Sequence, residues 1–592
     1  MLIKVTLLRP WWEPLIYDYD CDSHSVPENG ARVLVPLGTA NAKCVGFVND
    51  DSRQKILPEN VTLKNITQVL DDGKRVIPSD LWELALWLGK VYLCGTGLAL
   101  KMILPEKFLA GEKLVANPEV AASKNFRERD FFCPNDSERE KFLIQELASG
   151  RVLLLFALKD SASDFYARLP ENLRDEAILL KPETGKKSWE NWQRIYAGEF
   201  RIVIGSQSAV FAPFRPEKII VEDEANPAYF FQRKPRASAR TLAGKRALLL
   251  GCEFVLTGRM PSLKTYSRKY FGKNPASHSQ KYLPERKFFV TVDSSYSFKE
   301  SERGIDGEIL LTYSLLERTN RELAVGRHVL WIWDRIGEAG EIFCERCGVS
   351  LTCEFCGGIL RSVNGALKCV SCGKKREFPD KCEHCGSEFL LGKRPGLEAL
   401  LKIAAKYFDN VKLFSGRKLA LSKPCVILGT SALLRFCDSH SIGMIAWLNL
   451  DDELRRWGYD TRVNIFRMIW DSYWRARNCE RTVLIQSRGK NLNFASEILR
   501  GYGKFLEDEL STRSELSLPP FGISVEMLVN DANQREIISR EFADFGVLAM
   551  DNADGKLTVE AKDLSVVRRV LEKFFTMSEF AKSIQISEIR AE

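Results

Sequence analysis

The sequence predicts a multidomain α/β protein, and three observations carry that reading. Eight short apolar runs between 151 and 486 alternate with amphipathic segments. Four C-x-x-C pairs are crowded into one stretch of the second half. The first hundred residues differ, being short alternating runs punctuated by Pro and Gly. Strands separated by helical patterns imply parallel sheets of βαβ units, and eight runs suffice for two such sheets.

Taken in order, the first hundred residues, with "ARVLVPLG" as the type of their short runs, read as mostly β. "SEREKFLIQELAS" (137–149) is an amphipathic helix, and "RVLLLFAL" (151–158), "RIVIGS" (201–206), "KIIVED" (218–223) and "CEFVLTG" (252–258) are buried strands of a first sheet. "HVLWIW" (328–333), "CVILGT" (425–430), "MIAWLNL" (444–450) and "RTVLIQ" (481–486) supply a second, into which the cysteine-rich stretch is inserted. "PPFG" (519–522) marks a boundary near a small C-terminal α+β segment. No internal repeat or low-complexity tract interrupts this order.

At 592 residues the chain is long enough for several cores. Apolar content of 45% and charged content of 28% are ordinary for a globular protein. A net charge of +8 permits nucleic-acid binding without arguing for it. "MLIKVTLLRPWWEP" has too short an apolar run for a secretion signal. No stretch approaches the roughly 20 apolar residues of a membrane span. The expectation is a cytoplasmic protein with no membrane partner.

The cysteine stretch is the sharpest chemical signal. The pairs are Cys344/Cys347, Cys353/Cys356, Cys369/Cys372 and Cys382/Cys385, with glycines at 348, 357, 373 and 386 directly after each pair. Each C-x-x-C turn aims two thiolates at one centre, and Zn²⁺ takes four in a tetrahedron. Eight thiolates make two closed sites, so two Zn²⁺ are expected, both structural because no coordination position stays open. A reducing compartment and one repeated spacing argue against disulfides. His384 lies inside the last pair and reads as a filler. Spacing alone allows either sequential or outer-with-outer pairing of the four turns.

Several of these segments, in this order, resemble the PriA family of bacterial replication-restart proteins, primosomal protein N′. "PLIYDYD", "GARVLVPLG" and "LKNITQVLDD" are similar to that family's DNA 3′-end binding domain. "IGSQSAVFAPFRPEKIIVEDE" and "PRASARTLAGKRALLLGCEFVLTGRMPSLKT" are similar to its first motor lobe, and "ELSTRSELSLPPFG" to the entry of its last domain. The eight cysteines match its zinc module most specifically. The resemblance implies six parts: a 3′-end binding domain (1–108), a linker (109–124), a RecA-like lobe (125–297), a second RecA-like lobe (298–340 and 391–505), the zinc module (341–390) and a C-terminal domain (506–592). The linker is too short for the family's winged helix. The resemblance also pairs Cys344, Cys347, Cys382 and Cys385 on one zinc, and Cys353, Cys356, Cys369 and Cys372 on the other.

By the same resemblance Tyr17, Asp18, Gly38 and Lys64 fall on a pocket for a DNA 3′ terminus. An aromatic ring can stack on a base, a carboxylate can accept the 3′-hydroxyl proton, a glycine admits close backbone approach, and a lysine can meet phosphate.

The motor motifs depart from the family. A phosphate loop needs glycines, a Lys for the β/γ phosphates and a Ser/Thr for Mg²⁺. The corresponding "FFCPNDSEREKFL" (131–143) has no glycine, and Glu138 and Arg139 stand where Lys and Thr belong. The family's Asp-Glu-Glu-His becomes Glu222-Asp223-Glu224-Ala225; a Gly-Ser-Ala-Thr-Pro type motif becomes "TGRMP" (257–261); and a glycine-arginine motif becomes "YWRAR" (473–477), retaining Arg475 and Arg477. The three acids read as a solvated strand end rather than a Mg²⁺ site. No catalytic residue is assigned, and hydrolysis of ATP with Mg²⁺ is not expected; whether nucleotide binds stays open. The implied function is a primosome protein that binds forked DNA carrying a 3′ end and recruits primosome proteins, single-stranded DNA-binding protein and a helicase loader. The alternatives are an active ATP-dependent 3′→5′ DNA helicase with deviant motifs, and a zinc-ribbon scaffold without a DNA role.

Overall fold

All eight apolar runs are strands, and continuous burial explains why they read as continuous apolar runs rather than alternating ones. Val152–Phe156 and Ile202–Gly205 are buried at every position. The structure is a computed structural model. It describes all residues except 21–24, 50–62, 115–124, 182–184, 274–281, 294–297, 303–308, 334–338, 345, 356, 364, 370–372, 415, 417–418, 420, 439, 455–459, 477–479, 488–491, 530, 553–555, 577–583 and 591–592. Most of the expected 109–124 linker therefore lies outside the described residues, as do Cys356, Cys372 and Arg477. Contacts divide the chain into two units: residues 1–133, 138–269 and 510–592, and residues 134–137 and 270–509.

In the first unit a five-stranded antiparallel sheet holds Leu2–Leu7, Leu15–Asp18, Arg32–Leu37, Ala42–Val48 and Gln68–Val69. Helices Ser79–Val91, Thr96–Ile103 and Glu106–Leu109 follow it. They share a hydrophobic core with the adjoining parallel sheet: Leu81, Leu84 and Leu88 cluster with Trp189, Val210 and Leu242. A buried ion pair crosses the same boundary, Arg246 Nε donating to Asp80 Oδ2 at 2.6 Å, while the other guanidinium nitrogens donate to the carbonyls of Val210 and Phe214. Arg32 ties the antiparallel sheet to the helices by donating to the carbonyls of Phe108 and Glu112 and to both carboxylate oxygens of Asp71.

The parallel sheet runs in the order Arg127–Phe132, Glu253–Gly258, Lys218–Glu222, Val152–Phe156, Ile202–Gly205, Ala177–Leu180. The helix Asp136–Leu147 precedes the strand Val152–Phe156, as its amphipathic pattern predicts. The C-terminal segment is a β-α-β-β-α-β unit with strands ordered Leu548–Asn552, Lys556–Ala561, Ile523–Val529, Ile584–Arg590, a split βαβ arrangement.

The second unit holds a second six-stranded parallel sheet, ordered Phe289–Asp293, Thr482–Ser487, Ile442–Trp447, His328–Ile332, Val426–Gly429, Val411–Leu413. Into its connection after His328–Ile332 is inserted a five-stranded antiparallel module made of Ala339–Cys344, Leu360–Val363, Ala366–Cys369, Lys375–Arg376 and Leu390–Pro395. Among the described residues no helix is long and apolar enough to cross a membrane.

Candidate functional site

Three places carry chemistry. The first lies on the antiparallel sheet. Tyr17 and Asp18 end the strand Leu15–Asp18, Gly38 follows the strand Arg32–Leu37, and Lys64 lies in the segment leading to Gln68–Val69. The backbone brings them together: Asp18 N donates to the Lys64 carbonyl at 2.9 Å, and Ile66 N donates to the Asp18 carbonyl at 3.0 Å. Lys64 Nζ then donates to the Gly38 carbonyl at 2.5 Å and to Asn41 Oδ1 at 2.7 Å. The Asp18 carboxylate is half exposed; its Oδ1 accepts from Tyr19 N at 2.9 Å and from the Met1 amino group at 3.2 Å. Gly38 holds φ +69, which a side chain resists, and a Cβ there would meet nothing within 4 Å. Its glycine serves the turn, and the ground beside it is open. Tyr17 corrects the reading from sequence. Its ring is 3% exposed and belongs to the sheet's core, with its hydroxyl donating to the Pro36 carbonyl at 3.2 Å. It offers no open face for a base to stack on. Burial pushes its pKa up.

The second place is the inserted module. Its four knuckles share one turn: the N–H of Gly348, Gly357, Gly373 and Gly386 donates back to the carbonyl of Cys344, Cys353, Cys369 and Cys382 at 2.8–3.1 Å. All four glycines have φ between +67 and +75. The sulfurs of Cys344, Cys347, Cys382 and Cys385 lie within 4.8 Å of one another. The pairs Cys344–Cys385 and Cys347–Cys382 are 3.6 and 3.7 Å apart. A tetrahedron with Zn–S bonds of about 2.3 Å has edges of ~3.8 Å, so this donor set fits zinc. Without metal the cluster titrates unevenly: the backbone N–H of Cys347 draws the Cys344 thiol's pKa down, while desolvation and the neighbouring sulfurs push that of Cys347 up; bound zinc would require all four as thiolates. Cys353 and Cys369 are buried together with Ile342, Leu351, Leu360 and Leu367; Cys356 and Cys372, which would complete their set, lie outside the described residues.

The third place is the end of the strand Lys218–Glu222, and here too the structure corrects the sequence. Glu222 and Glu224 are not a solvated strand end: they are 7% and 1% exposed, and both are partnered. Arg139 Nε donates to Glu222 Oε1 at 3.0 Å, and its NH1 donates to the Cys133 carbonyl at 2.8 Å. The other Glu222 oxygen accepts from Thr257 Oγ1. Glu224 accepts from Arg240 NH1 at 2.8 Å and from Ser262 N at 2.7 Å. Asp223 is half-buried at φ +54, its carboxylate accepting from Asn226 Nδ2 at 2.7 Å. Glu138 is exposed and accepts from the Cys133 thiol at 3.5 Å. Arg139, four residues into the helix Asp136–Leu147, thus places a buried guanidinium on Glu222 at the end of the central strand. In the second unit Arg475 donates to the Asp438 carboxylate.

Sequence reasoning missed two residues of these sites, Asn41 and the structural role of Arg139. Asn41 had a signal: it sits four residues into a Gly-led hairpin loop, where Asn tolerates positive φ. Arg139 had none, because a charged residue in an amphipathic helix reads as solvated.

Comparison with known proteins gives the following resemblances. Residues 4–105 match the PriA 3'DNA-binding domain (3'BD) family. The Replication restart protein PriA of Bacillus subtilis (strain 168) is 24% identical over 57% of this chain and 44% of its own length. That of Haemophilus influenzae is 23% identical over 88% of this chain and 87% of its own length. The matched part of the chain thus spans under half of the first relative and most of the second. Among solved structures, Saccharomyces cerevisiae Dbp5 bound to RNA and ADP BeF3 aligns at 10% identity over 73% of this chain and 97% of that chain, with a TM-score of 0.34. The chain resembles the PriA replication restart proteins, and its first hundred residues match their 3′ DNA-binding domain.

Proposed function

Proceeding from that resemblance, we propose that the protein binds forked DNA at replication restart in the cytoplasm, seating a 3′ terminus at Asp18, Gly38 and Lys64, and does so without turning over ATP. The observation that carries the DNA reading is the convergence of those three residues within the segment matching the 3′ DNA-binding domain. A carboxylate that can accept from a 3′-hydroxyl, an ammonium for phosphate and an open glycine turn lie on adjoining backbone. The Arg139–Glu222 pair supports the second part: the acid is already neutralised by a side chain of the same lobe, and phosphoryl transfer needs both metal and phosphate cradle. Two Zn²⁺ would hold the inserted module: Cys344, Cys347, Cys382 and Cys385 on one, Cys353, Cys356, Cys369 and Cys372 on the other. Metal so enclosed supplies folding energy rather than chemistry. The rest of the chain would serve as a platform for primosome proteins, a single-stranded DNA-binding protein and a helicase loader.

The test compares forks whose nascent leading strand ends at the junction with forks lacking that strand, measuring affinity and ATP turnover on each. Preference for the 3′ end with turnover far below 1 s⁻¹, the lower end of ordinary enzymes, is expected. Turnover at or above that value promotes the active helicase; equal affinity for both forks removes the pocket.

A further inference from the structure

We infer that Asn41 is a positioning residue of the 3′-end pocket, acting through Lys64; this rests on the DNA reading above. An ammonium has three N–H donors on a flexible stem and no preferred direction of its own. Here two acceptors fix it, the Gly38 carbonyl at 2.5 Å and Asn41 Oδ1 at 2.7 Å. Those two contacts leave one donor, the number needed for a single phosphate oxygen. The loop is built to place both acceptors. Gly38 and Asn41 sit at its two ends with φ +69 and +50, and Asn41 N closes the turn on the Gly38 carbonyl at 3.2 Å. That carbonyl therefore accepts from both Asn41 and Lys64. Because lysine only donates, the Asn41 atom facing it must be the oxygen. An exposed lysine ordinarily spends much of its time in other rotamers, and ordering it at the moment of binding costs side-chain entropy. Asn41 removes part of that cost in advance.

Asn41→Gly tests this, since glycine accepts the positive φ and the turn is kept while the whole side-chain amide is lost; the Lys64→Ala background separates a loss that acts through the lysine from one that does not. The probe is a fork with a junction-proximal 3′-hydroxyl, titrated against wild type, Asn41→Gly, Lys64→Ala and the double variant across a salt series. Asn41→Gly is expected to weaken binding about three- to tenfold. In the Lys64→Ala background it should change nothing further, which a merely structural role would not produce. Lys64→Ala harmful with Asn41→Gly neutral overturns this inference and leaves the pocket standing. Equal loss from Asn41→Gly with and without Lys64 also overturns it. No effect of either variant sinks the pocket reading itself.

Discussion

Arg139 Nε lies 3.0 Å from Glu222 Oε1, with both residues less than a tenth exposed. The pair joins the first turn of the helix Asp136–Leu147 to the end of the central strand Lys218–Glu222. Its energetics set the first prediction. Breaking a buried pair by removing one partner strands an uncompensated charge and costs about 3–5 kcal/mol, whereas replacing both partners with apolar groups is near neutral. Arg139→Met and Glu222→Leu should each lower the thermal midpoint strongly, and the double variant should regain most of the loss. Single variants within ~0.5 kcal/mol of wild type would mean that the pair is incidental.

Restoring the two side chains of a phosphate loop should not restore hydrolysis. Glu138→Lys with Arg139→Thr supplies the charge and the hydroxyl, but residues 131–143 still have no glycine with which to turn backbone N–H groups onto phosphate. In the wild type, Glu138 would face the triphosphate; two unit charges 4 Å apart repel by about 4 kcal/mol at an effective dielectric of ~20. Fork-stimulated phosphate release near 1 s⁻¹ in either protein would contradict this.

Metal analysis of the folded chain should return two zinc ions. Cys344→Ser with Cys347→Ser should return one, because those sulfurs share a centre with Cys382 and Cys385 and with no other described cysteine. The same double substitution should open the module to protease while leaving DNA affinity within twofold. Loss of both ions together would show that the two sites do not fill independently.

The two charged residues of the pocket should fail differently. Asp18→Ala should weaken binding to a 3′-hydroxyl end, and less so to a 3′-phosphate end, since it removes the hydroxyl's partner. Lys64→Ala should weaken both ends and flatten the dependence of affinity on salt by roughly one phosphate contact. Identical salt slopes in wild type and Lys64→Ala would take the lysine off the phosphate.

The legible parts of the fold were those buried on every side. Strands such as Ile202–Gly205 and Ile442–Trp447 are apolar throughout because they are interior strands of parallel sheets, buried at every position. The edge strands Arg127–Phe132 and Val411–Leu413 escaped notice, for an edge is half solvated and its composition mixed. The helix Ser79–Val91 was equally hard to see. It buries Leu81, Trp82, Leu84, Ala85 and Leu88 around much of its circumference, so the apolar stripe that advertises a helix is blurred. The site divides along the same line. Cysteine spacing announces its partners in sequence, whereas Glu222 finds Arg139 eighty-three positions away, a relation that only the folded sheet creates.

The tie between Asp80 and Arg246, with Leu81, Leu84 and Leu88 seated among Trp189, Val210 and Leu242, bears on the DNA pocket as well. The antiparallel sheet that carries Asp18 is tied by Arg32 to the helices that share this core with the parallel sheet. A 3′ end seated at Asp18, as proposed above, would then be tied through this packing to the rest of the first unit.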